Sequence, residues 1–447
     1  FSLINPIDIP WADTLRRTAL KKFQELGLPT QRRGNEPWKY TDIRKLARHE
    51  FQPVIDHKVI NDQVVRSHSI IAGPSHLAVF VDGKFAPAYS SIDDLPKGAI
   101  FSSLASAFHN QGIEIEDKIS RYCGYETEAF TALNTAFIED GAVITLTAGT
   151  VLDSPIHLLF ITNSHEHEVA IHPRVFVHLE ESSSASIIES HTGVPGNVYL
   201  SNAVAELLID DNARLKYYKL QRHPTNAFHI TNTEAIVNRD GYFSSVNIDL
   251  GGDIIRNNLN TRMAGEGAST KLNGLYMTTD KQHVDNQVII EHIKGNTFAR
   301  ELYKGILDGQ SRSVFHGSII VREGASGVDA YQVDKNLLLS NEAEADTKPA
   351  FWVYTDDVKC GHGAACGQID HDAMFYLRSR GLNEVTARKL IIHGFIAEVI
   401  DSIENPDLRN PKTFNERIAH FKLNERSNIY TILADKYLVK DYVINSI

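Results

Sequence analysis

Residues 240–324 read DGYFSSVNIDLGGDIIRNNLNTRMAGEGASTKLNGLYMTTDKQHVDNQVIIEHIKGNTFARELYKGILDGQSRSVFHGSIIVREG. Short β-type runs alternate here with turn signals at Asp240-Gly241, Gly251-Gly252, Gly265 to Gly267, Asp280, Gly295, Gly309 and Gly324. The turns recur at intervals of about 14 residues, longer than the roughly 8–12 of a β-sandwich. That spacing predicts a stacked β-solenoid with two β-legs per coil. No clean sequence repeat accompanies it.

The pattern extends outward. From about Val143 to Val353 there are short β-runs and no convincing long helix. Val143 to Leu146, Val175 to Val177, Ser186 to Glu189 and Gly317 to Val321 are examples. Before this region, Asp13 to Leu26 places Leu15, Ala19, Leu20 and Phe23 at helical spacing, with Gly27 as a stop. His76 to Val81 reads as a strand closed by Asp82-Gly83. After the β-region, Asp372 to Arg380 reads as a short helix ending at Gly381. Asn383 is an N-cap for a second helix. That helix puts Ala387, Leu390, Ile391, Phe395, Val399 and Ile403 on one face, before Pro406. Two further amphipathic segments are expected near 414–423 and 427–438. The domains expected are 1–125, helical and mixed; 126–368, the β-core; and 369–447, helical.

The chain has 447 residues, 42% hydrophobic and 23% charged, with a net charge of −11. This is ordinary globular usage, and the acidic balance argues against a general nucleic-acid binder. No stretch reaches the roughly 18–20 apolar residues of a membrane span. Phe1 to Pro10 does not read as a signal peptide. Three cysteines, Cys123, Cys360 and Cys366, do not make a disulfide framework and fit a reducing, cytosol-like compartment. Walker A, H-E-x-x-H, G-x-S-x-G, C-x-x-C and G-x-G-x-x-G patterns are absent, which removes the commonest nucleotide, zincin, hydrolase and redox chemistries.

The densest constellation is Asp356-Asp357-Val358-Lys359-Cys360-Gly361-His362-Gly363-Ala364-Ala365-Cys366-Gly367. On a strand, Cys360 and His362 share one face. Thiolate and imidazole are ligands for iron, zinc and iron–sulfur clusters, and the flanking glycines allow close approach. Two ligands do not close a site, and Cys366 is a candidate third. The alternative is that both cysteines are small packed residues and His362 a loop histidine. His165-Glu166-His167-Glu168 is metal-friendly in composition but sits in a polar run that reads as a solvated turn. The histidines from His157 to His191 are ambiguous. His283 and Asp285 suit a carboxylate–imidazole pair, more simply a structural one. Trp38-Lys39-Tyr40 is either a partner contact or a packed helix start.

The 356–368 run, with Phe375-Tyr376-Leu377-Arg378-Ser379-Arg380-Gly381, closely resembles the C-terminal signature of the SufB/SufD family, on its SufD side. Glu301 to Gly305, Ser313 to Gly317, Asn336 to Ser340 and His283 to Gln287 resemble the family's β-core blocks. Leu28-Pro29-Thr30 with Asn35 to Asp42 resembles its N-terminal pattern. The resemblance covers residues 28 to 400 or so and implies iron–sulfur cluster assembly in the SUF system. It implies a central right-handed parallel β-helix flanked by helical N- and C-terminal domains. A SufB paralogue would pair through the β-helix, and a SufC ATPase would bind the C-terminal helical domain. The chain would then be a non-catalytic scaffold, with a transient nascent iron–sulfur cluster at the subunit interface. His362 would be the functional histidine, with Cys360 beside it as the second metal ligand. A flavin in the complex and a homodimer of the isolated chain are compatible with the resemblance. So is a cytoplasmic or plastid-stromal location.

Two departures stand out. The family's Pro-x-Leu-Glu-Ile is Pro349-Ala350-Phe351-Trp352-Val353 here, with Trp352 in place of glutamate. Ala364-Ala365-Cys366 replaces Ala-Thr-Val. Two other functions compete: a purely architectural subunit that binds no metal, and a β-helix enzyme acting on polysaccharide, for which Asp249, Asp253, Glu291 and Glu301 are the available acids.

Overall fold

The computed structural model describes residues 7–31, 33–55, 60–71, 73–92, 94–110, 115–163, 165–196 and 198–409. The helical segments expected near 414–423 and 427–438 lie outside them.

Strands about ten residues long alternate between two sheets and pair in parallel with the strand one coil away. The result is a β-solenoid of about eight turns. Tyr242 pairs with Ser269, Ser269 with Phe298, and Phe298 with Asp329. One coil thus takes two of the intervals seen in the sequence. Its corners need left-handed backbone, which Gly, Asn and Asp adopt at least cost. Asn212, Asp240, Asp280 and Asn296 all have φ between 53° and 57°. Gly267 occupies one such corner at φ 73°, and a Cβ there would lie 2.2 Å from Oδ1 of Asp240.

The β-region ends with Val358–Gln368, the last strand of the second sheet. Its glycines and alanines hide it from β-propensity. The ladder to Val328–Leu338 builds it. The solenoid interior is one continuous apolar cluster that includes Ile187, Leu215, Phe243, Leu272, Tyr303, Phe315 and Ile319.

Three groups of residues clothe this rod. Helix Pro10–Leu26 ends at Gly27 (φ 64°) and packs with Leu104 and Phe108 near Val143 and Phe176. Trp38 is buried against Phe130, with the Arg256 guanidinium 3.9 Å from its ring centroid. Trp38-Lys39-Tyr40 is therefore a packing step, led by the 3-10 turn Glu36–Trp38. Helix Glu384–Asp401 lies across the outside of the second sheet. Its Ile392, Phe395, Ile396 and Val399 cover Tyr218, Val246, Leu275 and Ile306. The expected cap is present, with Asn383 Oδ1 accepting from Thr386 N at 2.8 Å. Strand His76–Val81, in the part read as helical and mixed, adds to the second sheet beside Ile156–Thr162.

Among the described residues, no helix is long and apolar enough to cross a membrane.

Candidate functional site

The last coil has no coil beyond it among the described residues. Strands Glu344–Val353 and Val358–Gln368 each pair on one side only. Among the described residues, their outer edges and the end of the interior are left open. Solenoids normally close such ends with a polar cap, and open strand edges are templates for pairing.

Register decides which side chains face the opening. His362 pairs with Gln332 and Gln332 with Glu301. Gln332 and Glu301 are both buried, and Gln332 Nε2 donates to Glu301 Oε2 at 2.9 Å. His362 continues this inward-facing column and is exposed because the column ends there. Cys360 continues a second column through Ala330 and Ala299, both fully buried. With a period of two, Cys360, His362, Ala364 and Cys366 share the inward face. The two-residue step separates Cys360 and His362 by roughly 7 Å along the strand.

The His362 ring stacks on Phe351 from the opposite sheet, with centroids 4.8 Å apart and planes 6° from parallel. Phe351 thus holds the imidazole against the mouth of the solenoid. Trp352, one residue on, takes the outward position and is 55% exposed. The family's glutamate position therefore points away from the interior. A Cβ on Gly363 or Gly367 would meet no atom within 4 Å. The chain's own packing does not require these glycines, and the space beside them is free for an approaching surface.

The thiols differ. Cys360 is half-buried and packs on the end of the core cluster, and Cys366 is more exposed. Burial raises both thiol pKa values, so both are thiols at neutral pH until a cation displaces the proton. Burial pushes Cys123 much further up, and it lies far from this face beneath the Glu206 carboxylate that caps Ser120 N and Tyr122 N. Together the mouth offers one imidazole and two thiols on one face, short of a closed coordination shell.

The other candidates separate from it. His165 lies 3.0 Å from Asp82, and Glu168 is bonded to His49 at 2.9 Å. The two members of that motif are held by different partners. His283 and Asp285 both bond Thr41 Oγ1, and Asp285 also pairs with Arg256 at 2.5 Å. They clamp the Asn35–Asp42 segment to the solenoid. The four acids weighed for glycan chemistry do not converge. Asp249 and Glu301 are buried, Asp253 pairs with Lys45, and Glu291 pairs with Arg322. Sequence reading did not reveal Phe351, because a stacking partner on the other sheet has no local signal.

Residues 160–395 match the SufBD core domain of SUF system FeS cluster assembly, and residues 2–158 match the SufBD protein N-terminal region. An iron–sulfur cluster assembly SufBD family protein of Synechocystis is 32% identical over 403 residues, covering 87% of this chain and 86% of its own. The iron–sulfur cluster assembly protein SufD of Escherichia coli is 30% identical over 395 residues, covering 87% and 89%. The chloroplastic protein ABCI7 of Arabidopsis thaliana is 28% identical, covering 86% and 82%.

Proposed function

Because the chain belongs to the SufBD family of iron–sulfur cluster assembly proteins, we propose that it is the SufD-type scaffold of a complex with a SufB paralogue and a SufC ATPase. The observation that carries this reading is the end of the solenoid, which no coil among the described residues caps. Its two free strand edges suit pairing with a second solenoid, and the inward face beside them carries His362 and Cys360. In isolation the same end would accept a second copy of the chain.

The nascent cluster is cargo at that junction. His362 supplies one nitrogen ligand and Cys360 one sulfur. The paralogue supplies the remaining thiolates from the facing surface. Iron binding displaces the Cys360 proton, which burial otherwise holds on the sulfur. Too few ligands on one subunit means that the cluster is held only while both subunits meet. Separation of the faces then releases it. The motion would come from the ATPase, bound at the C-terminal helices, where Phe375 is 75% exposed. ATP-driven closure on the helical ends is a two-state rearrangement of this kind. The chain itself is a non-catalytic subunit in this scheme. A cytosolic or stromal setting fits relatives named from Escherichia coli and from a chloroplast.

The test is iron and acid-labile sulfide content of the complex, co-purified anaerobically with SufB and SufC. His362→Ala should lower both several-fold with all three subunits still present, since the side chain is exposed and its loss spares the core. Equal content in native and variant complexes would leave the chain purely architectural.

A further inference from the structure

A second group of potential ligands lies far from the open end. His191, His223 and His229 are at most 4% exposed, and one nitrogen of each lies within 4.8 Å of the others. They come from different places in the chain. His191 is on strand Ser184–Gly193, His223 directly follows strand Arg214–Arg222 one coil on, and His229 opens strand Phe228–Val237 in the first sheet.

Two of the rings are oriented by hydrogen bonds from outside the cluster. His191 Nε2 bonds the Glu189 carboxylate, leaving Nδ1 buried and without a partner. His223 Nδ1 bonds the Tyr199 hydroxyl at 2.6 Å, leaving Nε2 turned to His229. His229 presents Nδ1 to the cluster while its ring also faces the Ser201 backbone. His191 and His223 have an oxygen partner on the far nitrogen, the arrangement that fixes metal-bound histidines, whereas His229 Nε2 is buried without one. His223 Nε2 and His229 Nδ1 are 3.1 Å apart. Two nitrogens on one tetrahedral cation at 2.0–2.1 Å would stand about 3.3 Å apart. The Gly251 backbone packs closely here, since a Cβ on it would lie 2.0 Å from the His223 carbonyl oxygen. Burial depresses all three imidazole pKa values, so each ring carries a lone pair at neutral pH. The neighbouring charges are Lys219, bonded to Thr231 at 2.5 Å, and Glu189, which offsets it.

We infer that His191, His223 and His229 form a binding site for a divalent first-row transition-metal cation that ties the two sheets together. An all-imidazole set suits zinc or ferrous iron. The fourth position falls to a solvent molecule. The three residues stand four to six strand spacings from the last strand of their own sheet, about 19–29 Å. The cation is therefore structural and not part of cluster assembly.

The experiment uses the full chain carrying Cys360→Ser, His362→Ala and Cys366→Ser, which removes the candidate ligands at the open end. The protein is expressed with added zinc, or refolded with Co2+, then desalted through a chelator. Metal content and the visible Co2+ spectrum are read. One equivalent per chain should be retained, and His191→Asn and His229→Asn should abolish it. Tyr199→Phe keeps all three ligands and should weaken affinity about 10–100-fold. No retained cation in the parent overturns the inference. So does equal retention in the folded histidine variants. Should those variants fail to fold, unchanged affinity in Tyr199→Phe overturns it. No partner or cluster is present, so the result is independent of the scaffold reading.

Discussion

Glu301 is two strands inside the open end, in register with Gln332 and His362. Its burial raises its pKa from the ordinary 4.5 to about 8, partly opposed by the Gln332 hydrogen bond. The sign of the stability effect follows. Below about pH 4.5 the carboxyl is neutral in both folded and unfolded chains and costs nothing. As pH rises towards 8, the unfolded chain releases the proton and the folded chain does not, so stability falls. Each pH unit in that window is worth about 1.4 kcal/mol at most. Glu301→Gln keeps an acceptor for Gln332 and never ionises. It should match the native chain near pH 4.5 and exceed it at pH 8 by on the order of 2–4 kcal/mol. Urea unfolding at the two pH values reads this directly. A variant less stable at both would show the carboxyl to be needed as such.

Among the elements, the strands carry the tightest packing. Gly274 pairs with Tyr303 in the second sheet, and a Cβ on it would stand 2.1 Å from the Tyr303 ring. Tyr303 is fully buried against Phe315, with centroids 5.0 Å apart, so it has no room to retreat. Gly274→Ala should therefore cost roughly 1–3 kcal/mol by overpacking, despite the better strand propensity of alanine. Its melting temperature should drop by several degrees, and a rise would contradict the packing argument. Gly274 lies in an extended strand with no left-handed backbone. The requirement is space for the neighbouring coil, which is why the sequence around it shows no turn signal.

At the scale of the molecule, the two ends of the rod differ. The first coils are covered by helix Pro10–Leu26 together with Leu104, Phe108, Ile119 and Ile138. The last coil leaves Trp352 and Tyr354 more than half exposed beside two free strand edges. Large exposed aromatic rings suit a buried interface centre. Trp352→Glu with Tyr354→Glu should leave the melting temperature within about 1 °C, and should weaken association with the SufB paralogue at least about tenfold. Analytical ultracentrifugation of the pair measures it. Intact association with a destabilised chain would place these side chains in the fold and not at the interface.

The sequence by itself determined the helix–β–helix order, the two-leg coil and the helical caps. These depend on local chemistry: turn residues with left-handed freedom, a period of two or 3.6, an Asn at an N-cap. It also marked Cys360 and His362 as sharing a face, which needs only strand geometry. Three things came from the tertiary structure alone. His362 is both inward-facing and exposed because the coils stop with it. Phe351 meets it from the other sheet, and His191 meets His223 and His229 across coils. Such contacts join residues that are distant in the chain, and a solenoid brings them together only through the register of every coil between them.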